Sequence, residues 1–200
     1  MAKIAVIYYS STGNVHQLAA ALAQGAEEAG AEVRLRRVPE LAPEEAISSN
    51  PLWRAHVDAT ADQVEEATPA DMEWADGYAL GSPTRFGTPA AQMKQFIDQL
   101  GGLWFTGKLA NKGATAFTSA QNVHGGNEST ILTFFNIFSH FGAVIVPPGY
   151  TDPLLFEAGG NPYGVSTASG GQSATASEAE LTAARYQGRR LAEITAKLVA

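Results

Sequence analysis

Cysteine is absent from the 200 residues. That excludes a disulfide framework, a thiolate nucleophile and any Cys-based metal site. If this chain performs redox chemistry, a bound cofactor must carry the electrons. Basic residues are also scarce: 13 Lys and Arg face 20 Asp and Glu, a formal net charge of -7. No basic cluster is longer than Arg36-Arg37 or Arg189-Arg190, so nucleic acid and anionic membranes are not expected as partners. No apolar run approaches the ~18 residues of a membrane span. The N-terminal run, Ile4 to Tyr9, meets polar residues at once, so no signal peptide is expected. The histidines stand in no metal-ligand spacing with Asp or Glu. These absences leave a soluble, metal-free, cytoplasmic protein as the expectation, of a length suited to one domain spanning residues 1–200.

What is present is a strand-then-helix alternation. Lys3–Tyr9 predicts a buried strand, and Val15, Leu18, Ala19, Leu22 and Ala26 follow at helical spacing, closed by Gly30. Glu32–Val38, Gly77–Ser82, Ala114–Ser119 and Ala143–Val146 predict four more strands. Helices are expected near Ala90–Leu100, Ser129–Phe141 and from Ser177 onward, where Glu180 completes a capping box. Two long excursions interrupt this rhythm, 39–73 and 149–176. The first, punctuated by prolines, predicts irregular chain, and its Asp58–Asp76 part, with seven acidic residues and no Lys or Arg, predicts a solvated surface. Five apolar strands alternating with helices imply an α/β fold, a parallel sheet covered on both faces.

In such sheets ligands bind beyond the carboxyl ends of the strands, and three polar loops fall there. Ser10-Ser11-Thr12-Gly13-Asn14 lacks the lysine of a Walker A loop, and no G-x-G-x-x-G is present. Two readings fit it equally: Thr12 or Asn14 caps the helix, or hydroxyls and backbone N–H groups hold a monophosphate at the helix N-terminus. Ser82-Pro83-Thr84-Arg85-Phe86-Gly87-Thr88-Pro89 is a stiff turn. Its Arg85 and Phe86 could wall a planar ligand, or be a surface ion pair and a core ring. Ser119-Ala120-Gln121-Asn122-Val123-His124-Gly125-Gly126-Asn127 reads as a ligand loop or an ordinary flexible turn, with His124 exposed.

With these loops assembled, the sequence resembles the flavodoxin-like fold. More narrowly, Ala79–Trp104 (ALGSPTRFGTPAAQMKQFIDQLGGLW), His140–Tyr150, Asn161–Gly171 and Ala184–Ala192 (ARYQGRRLA) are similar to the WrbA-type NAD(P)H:quinone oxidoreductases. The resemblance runs the whole chain. It implies a doubly wound five-stranded parallel sheet of order 2-1-3-4-5, bound FMN, NADH or NADPH as hydride donor, a quinone acceptor in ping-pong alternation, and a homotetramer. It implies a phosphate held by Ser10, Ser11, Thr12, Gly13, Asn14 and Val15. Pro83, Thr84, Arg85, Phe86 and Gly87 would line the flavin ring. Ser119, Ala120, Gln121, Asn122, Gly125 and Gly126 would hold the ribityl chain and ring edge. His140 would reach the flavin pocket, and Thr12, Phe86 and Trp104 would meet the substrates; two roles are open for His140, proton donor to the quinone oxygen or positioning and structural histidine. The sequence departs from the family at Thr12, where an aromatic is common, in a 119–126 loop one residue longer, and over Ala46–Thr60. Two rival readings share the pattern: an electron-carrier flavodoxin and a phosphate-sensing regulatory domain.

Overall fold

A computed structural model describes residues 1–170 and 175–200. Residues 171–174 of the second excursion, Gly171 of its quoted motif among them, lie outside the described residues. The elements run β1 (Lys3–Tyr8), α1 (Asn14–Glu28), β2 (Glu32–Arg37), α2 (Glu44–Ser48), α3 (Pro51–Thr60), α4 (Pro69–Trp74), β3 (Gly77–Arg85) and β4 (Thr88–Pro89). They continue with α5 (Ala91–Asp98), α6 (Gly101–Phe105), β5 (Gly113–Ala120), α7 (Asn127–Phe141), β6 (Val144–Ile145), α8 (Leu154–Glu157), β7 (Ser166–Ala168) and α9 (Glu178–Leu198).

The parallel order is β2-β1-β3-β5-β6, which is the 2-1-3-4-5 order expected once the short antiparallel β4 is set aside. Strand alternation divides the core between the two faces. Ile4, Val6 and Tyr8 pack with α1, Phe117 and α9 on one side; Ala5, Ile7 and Tyr9 pack with Tyr78, Phe96, Phe134 and Phe138 on the other. Two glycines bring α1 and α9 into backbone contact. A Cβ on Gly25 would stand 1.9 Å from the Arg185 carbonyl oxygen, and one on Gly188 would stand 1.9 Å from that of Leu22.

Two expectations are corrected. The 39–73 excursion is helical in three pieces, because its prolines start helices instead of breaking them. Pro51 and Pro69 occupy the first turns of α3 and α4. Asn50 accepts hydrogen bonds from the N–H groups of Leu52 and Trp53 at 3.0 and 3.3 Å, and Thr68 with Asp71 forms a capping box. Nor is its acidic run wholly solvated. Asp71 is buried and accepts from Arg34 at 3.2 Å and Arg36 at 3.3 Å, side chains of β2.

The fifth strand is also shorter than expected, only Val144–Ile145. β6 pairs with Gly113–Ala114 and β7 with Thr118–Ala120. Since β3 flanks β5 from Gly113 to Ser119, both short strands share its other edge. The chain therefore leaves this edge after β6 and rejoins it at Ser166, within the second excursion. Gln187 of α9 locks this return: its Nε2 donates to Thr115 Oγ1 and the Ala116 carbonyl at 2.7 and 2.8 Å, and its Oε1 accepts from Val165 N–H at 2.7 Å.

Candidate active site

The first loop leaves β1 at Tyr8 and turns through Gly13, which has a φ of 101° and stands at the N-cap of α1. That left-handed conformation suits glycine. The Gly13 N–H donates to Ser10 Oγ at 3.1 Å. No side chain caps α1, and its first turn holds no carboxylate. The capping role considered for Thr12 or Asn14 is therefore overturned: the cap position belongs to a residue without a side chain. The first-turn N–H groups of α1 lack intrahelical acceptors. Asn14 is buried, and its Oδ1 has no partner among the described residues.

The second loop is a two-residue hairpin joining β3 to β4, with Thr84 opposite Pro89 and Arg85 opposite Thr88. Its tip, Phe86-Gly87, has φ values of 54° and 82°, the pattern of a type I′ turn. A bulky residue at positive φ is strained, and the Phe86 ring is completely exposed. Phe86 is thus no core residue. Arg85 makes no ion pair among the described residues; its guanidinium donates to the Thr84 carbonyl at 2.9 Å and to Ser11 Oγ at 3.3 Å, tying the second loop to the first.

The third loop follows β5. Gly126, with φ 101°, begins α7 as Gly13 begins α1. A Cβ there would stand 2.9 Å from Gly87 Cα and 3.1 Å from Thr84 Oγ1. The second and third loops therefore meet backbone to backbone. Thr84 Oγ1 joins them further, accepting from Gly87 N–H at 3.1 Å and bonding Thr130 Oγ1 at 2.8 Å.

All three loops surround one open cavity of about 550 Å³. Ser10, Ser11, Thr12, Asn14 and Val15 line it from the first loop, and Pro83, Thr84, Arg85 and Phe86 from the second. Ser119, Ala120, Gln121, Asn122 and Gly125 line it from the third. Gly13, Gly87 and Gly126 are not among the lining residues, nor is the exposed His124. His140 and Trp104 are not among the residues lining the cavity. They sit in the last turn of α7 and in α6, beside the residues that enter β5, so α7, about 22 Å long, separates them from the cavity within one chain.

Three other residues line the cavity that were not expected at a site: Asn50, Leu52 and Ser169, the last inside the Asn161–Gly171 motif. Asn50 caps α3, and nothing in its local pattern says that this helix forms or that it faces the first loop. Glu40 fixes α3 there. Its Oε2 accepts from Tyr9 hydroxyl at 2.8 Å and Trp53 indole N–H at 2.9 Å, and its Oε1 from Gln92 Nε2 at 2.6 Å and from the Leu41 and Ala42 N–H groups at 2.9 and 3.0 Å. Burial alone would raise the Glu40 pKa, but the hydrogen bonds from Ala42, Gln92, Tyr9 and Trp53 outweigh it and hold the carboxyl below its ordinary value.

The dimensions and donors suit a phosphorylated planar cofactor. An uncapped helix N-terminus with hydroxyls and no opposing carboxylate is an anion corner, and the strained aromatic tip leaves a flat face beside the same space.

Comparison with known proteins places the chain in a family. Residues 2–152 match the family model described as NADPH-dependent FMN reductase. An NAD(P)H dehydrogenase (quinone) of Deinococcus radiodurans is 50% identical over 197 residues, 98% of this chain and 97% of that protein. One of the same name from Rhizobium rhizogenes is 46% identical over the whole of both chains. Among solved structures, a flavodoxin, WrbA-like protein from Agrobacterium tumefaciens superposes with a TM-score of 0.67 at 22% identity, covering 98% of this chain and 99% of that one. The fold is thus flavodoxin-like, and the chain belongs to the NADPH-dependent FMN reductase family, among the NAD(P)H dehydrogenases (quinone).

Proposed function

We propose that this protein is an FMN-dependent NAD(P)H:quinone oxidoreductase, holding FMN in the cavity beyond the carboxyl ends of β1, β3 and β5, and working in the cytoplasm as a homotetramer. The observation that carries the reading is the first loop: a lysine-free turn that leaves a fifteen-residue helix uncapped toward the cavity. A phosphate ester placed there meets N–H groups, the positive end of the helix dipole and the hydroxyls of Ser11 and Thr12. Asn14 and Val15 lie at the same corner.

When bound, FMN supplies the chemistry, accepting a hydride from NADH or NADPH and giving two electrons to a quinone. The chain orients and tunes. Pro83 and Thr84 give the ring a rigid floor, and Ser119 to Gly126 present backbone and amide donors to its edge and ribityl chain. Arg85, tethered to Ser11, places a cation at the rim where negative charge develops. The Phe86 ring offers one flat face to both nicotinamide and quinone, which favours their alternation in a shared slot. Thr12 stands where an aromatic platform would otherwise be and contributes only a hydroxyl. His140 and Trp104 can enter this slot only from another copy of the chain. Assembly then completes the slot, with the His140 imidazole placed to donate a proton to a quinone oxygen.

Protein purified with added FMN should be yellow and oxidise NADH when benzoquinone is supplied. Parallel lines when NADH and quinone are varied are expected; intersecting lines would rule out the shared slot. Yellow protein that oxidises no NADH without a protein partner would be an electron carrier. Protein that stays colourless after reconstitution would favour the regulatory reading.

A further inference from the structure

Beneath the first loop lies a cluster of titratable side chains for which the reading above has no use. His16, in the first turn of α1, shares a hydrogen bond between its Nδ1 and the Tyr8 hydroxyl at 2.6 Å. Its ring lies 5.5 Å, centroid to centroid, from that of His56 on α3. His56 in turn reaches the loop itself: its Nδ1 stands 3.6 Å from where a Cβ on Gly13 would be, and among the described residues, Gly13 and its two chain neighbours aside, nothing else comes within 4 Å of that point. The imidazole therefore backs the one residue whose left-handed turn aims the loop.

We propose that His56 is a positioning residue for the phosphate end of FMN, propping Gly13 from α3 so that the chain selects FMN over unphosphorylated riboflavin. The inference rests on the FMN reading of the cavity. A turn at φ 101° with open space behind it has no reason to keep its N–H groups convergent; a ring packed there removes that freedom. Glu40 fixes α3 and hence the ring, which explains why so many hydrogen bonds converge on one half-buried carboxylate.

The ring is also suited to an anion that arrives and leaves. The charged and titratable groups around it are His16 from α1, Tyr8 and Tyr9 from the end of β1, Arg37 from the end of β2, and Glu40. Burial and neighbouring His16 lower the His56 pKa to about 4, with Glu40 opposing, so the ring is neutral before phosphate binds. A dianion close by favours the protonated ring, supplying a cation where the loop has no lysine.

The test compares FMN and riboflavin affinities, by flavin fluorescence quenching, in wild type and His56→Ala. FMN affinity is expected to fall about tenfold and riboflavin affinity to stay within about twofold. Equal losses for both flavins, or an unchanged preference for FMN, would overturn the proposal. A wild type that binds neither flavin would remove the FMN reading and the proposal with it. Wild type that binds FMN beside a variant of unchanged preference would remove the proposal alone. If His56→Ala does not fold, the His56 ring signals of the wild type decide by NMR titration. An upward move of the His56 pKa with FMN but not with riboflavin supports the role, and identical titration with both overturns it.

Discussion

The indole N–H of Trp104 donates to the backbone carbonyl of His140 at 2.9 Å, tying α6 to the last turn of α7 at the end of the sheet opposite the cavity. Both rings that follow one another there are in water, Trp104 at 52% and Phe105 at 83% exposure. Aromatic surface of this kind suits burial against another chain. Trp104→Ala is expected to leave FMN bound but lower kcat/KM for quinone about tenfold, a loss of transition-state contact worth about 1.4 kcal/mol. Steady-state kinetics beside sedimentation velocity checks it. A fully active monomer would detach Trp104 and His140 from the slot.

Glu40 is expected to matter for stability as well as for α3. Glu40→Ala leaves Tyr9, Trp53 and Gln92 without their shared acceptor, at a cost of about 2 kcal/mol, or roughly 5 °C in Tm for a chain of this size. The pH dependence follows from the lowered carboxyl pKa. A carboxylate whose folded pKa is depressed adds stability above its unfolded pKa and loses it as pH falls through the folded value. Asp71 behaves alike: burial would raise its pKa, but hydrogen bonds from Thr68 and the charges of Arg36 and Arg34 lower it. Wild-type Tm should therefore fall steeply as pH drops below the ordinary carboxylate range. In Glu40→Gln the fall should be shallower, as read by thermal unfolding at stepped pH.

These two residues mark the limit of what the sequence could disclose. The strand-then-helix rhythm and the three polar loops after the strands were legible because strand alternation, helical spacing and loop chemistry are local patterns, whereas the sheet order came with the family resemblance. That Gly13 and Gly126 lead α1 and α7 was not legible, because the Ser, Thr and Asn beside them look like ordinary caps. The helices of 39–73 were not legible either, because a proline at a first helical turn and a proline that ends a helix look alike without the cap geometry of Asn50 or Thr68. Likewise β7 is three residues long and owes its strand conformation to β5, far away in sequence. Nothing local marks Glu40 as the point where Tyr9, Trp53 and Gln92 converge. The placement of His140 and Trp104 is legible in neither way, since it depends on helix length and direction together.

Gly126→Ala tests the contact between the second and third loops. The left-handed backbone costs an L-residue about 1–2 kcal/mol, and the new methyl would stand 2.9 Å from Gly87 Cα, backbone that cannot swing aside. The third loop should then be pushed off the hairpin that carries Arg85 and Phe86. FMN affinity is expected to weaken about tenfold or more while far-ultraviolet circular dichroism stays that of the wild type. Unchanged FMN affinity would mean that the two loops need not touch to bind the cofactor.

Gln187→Leu tests whether the return of the second excursion is held by polar pairing. The side chain is 1% exposed and satisfies Val165 N–H, Thr115 Oγ1 and the Ala116 carbonyl together. Leucine has similar volume but leaves a buried N–H and a buried carbonyl with one partner fewer each, at a cost of about 2–4 kcal/mol. Gly164 gives a reason for locality: a Cβ there would lie 2.1 Å from the Ala116 carbonyl oxygen, so the returning chain is pressed directly on β5 and has no room to find other partners. Chemical denaturation should show the full loss. Hydrogen exchange should speed first at Val165 and along β7, whereas β1 and β3, paired on both edges, should exchange only with global unfolding. Uniformly faster exchange across the whole sheet would mean that Gln187 supports the core and not this edge.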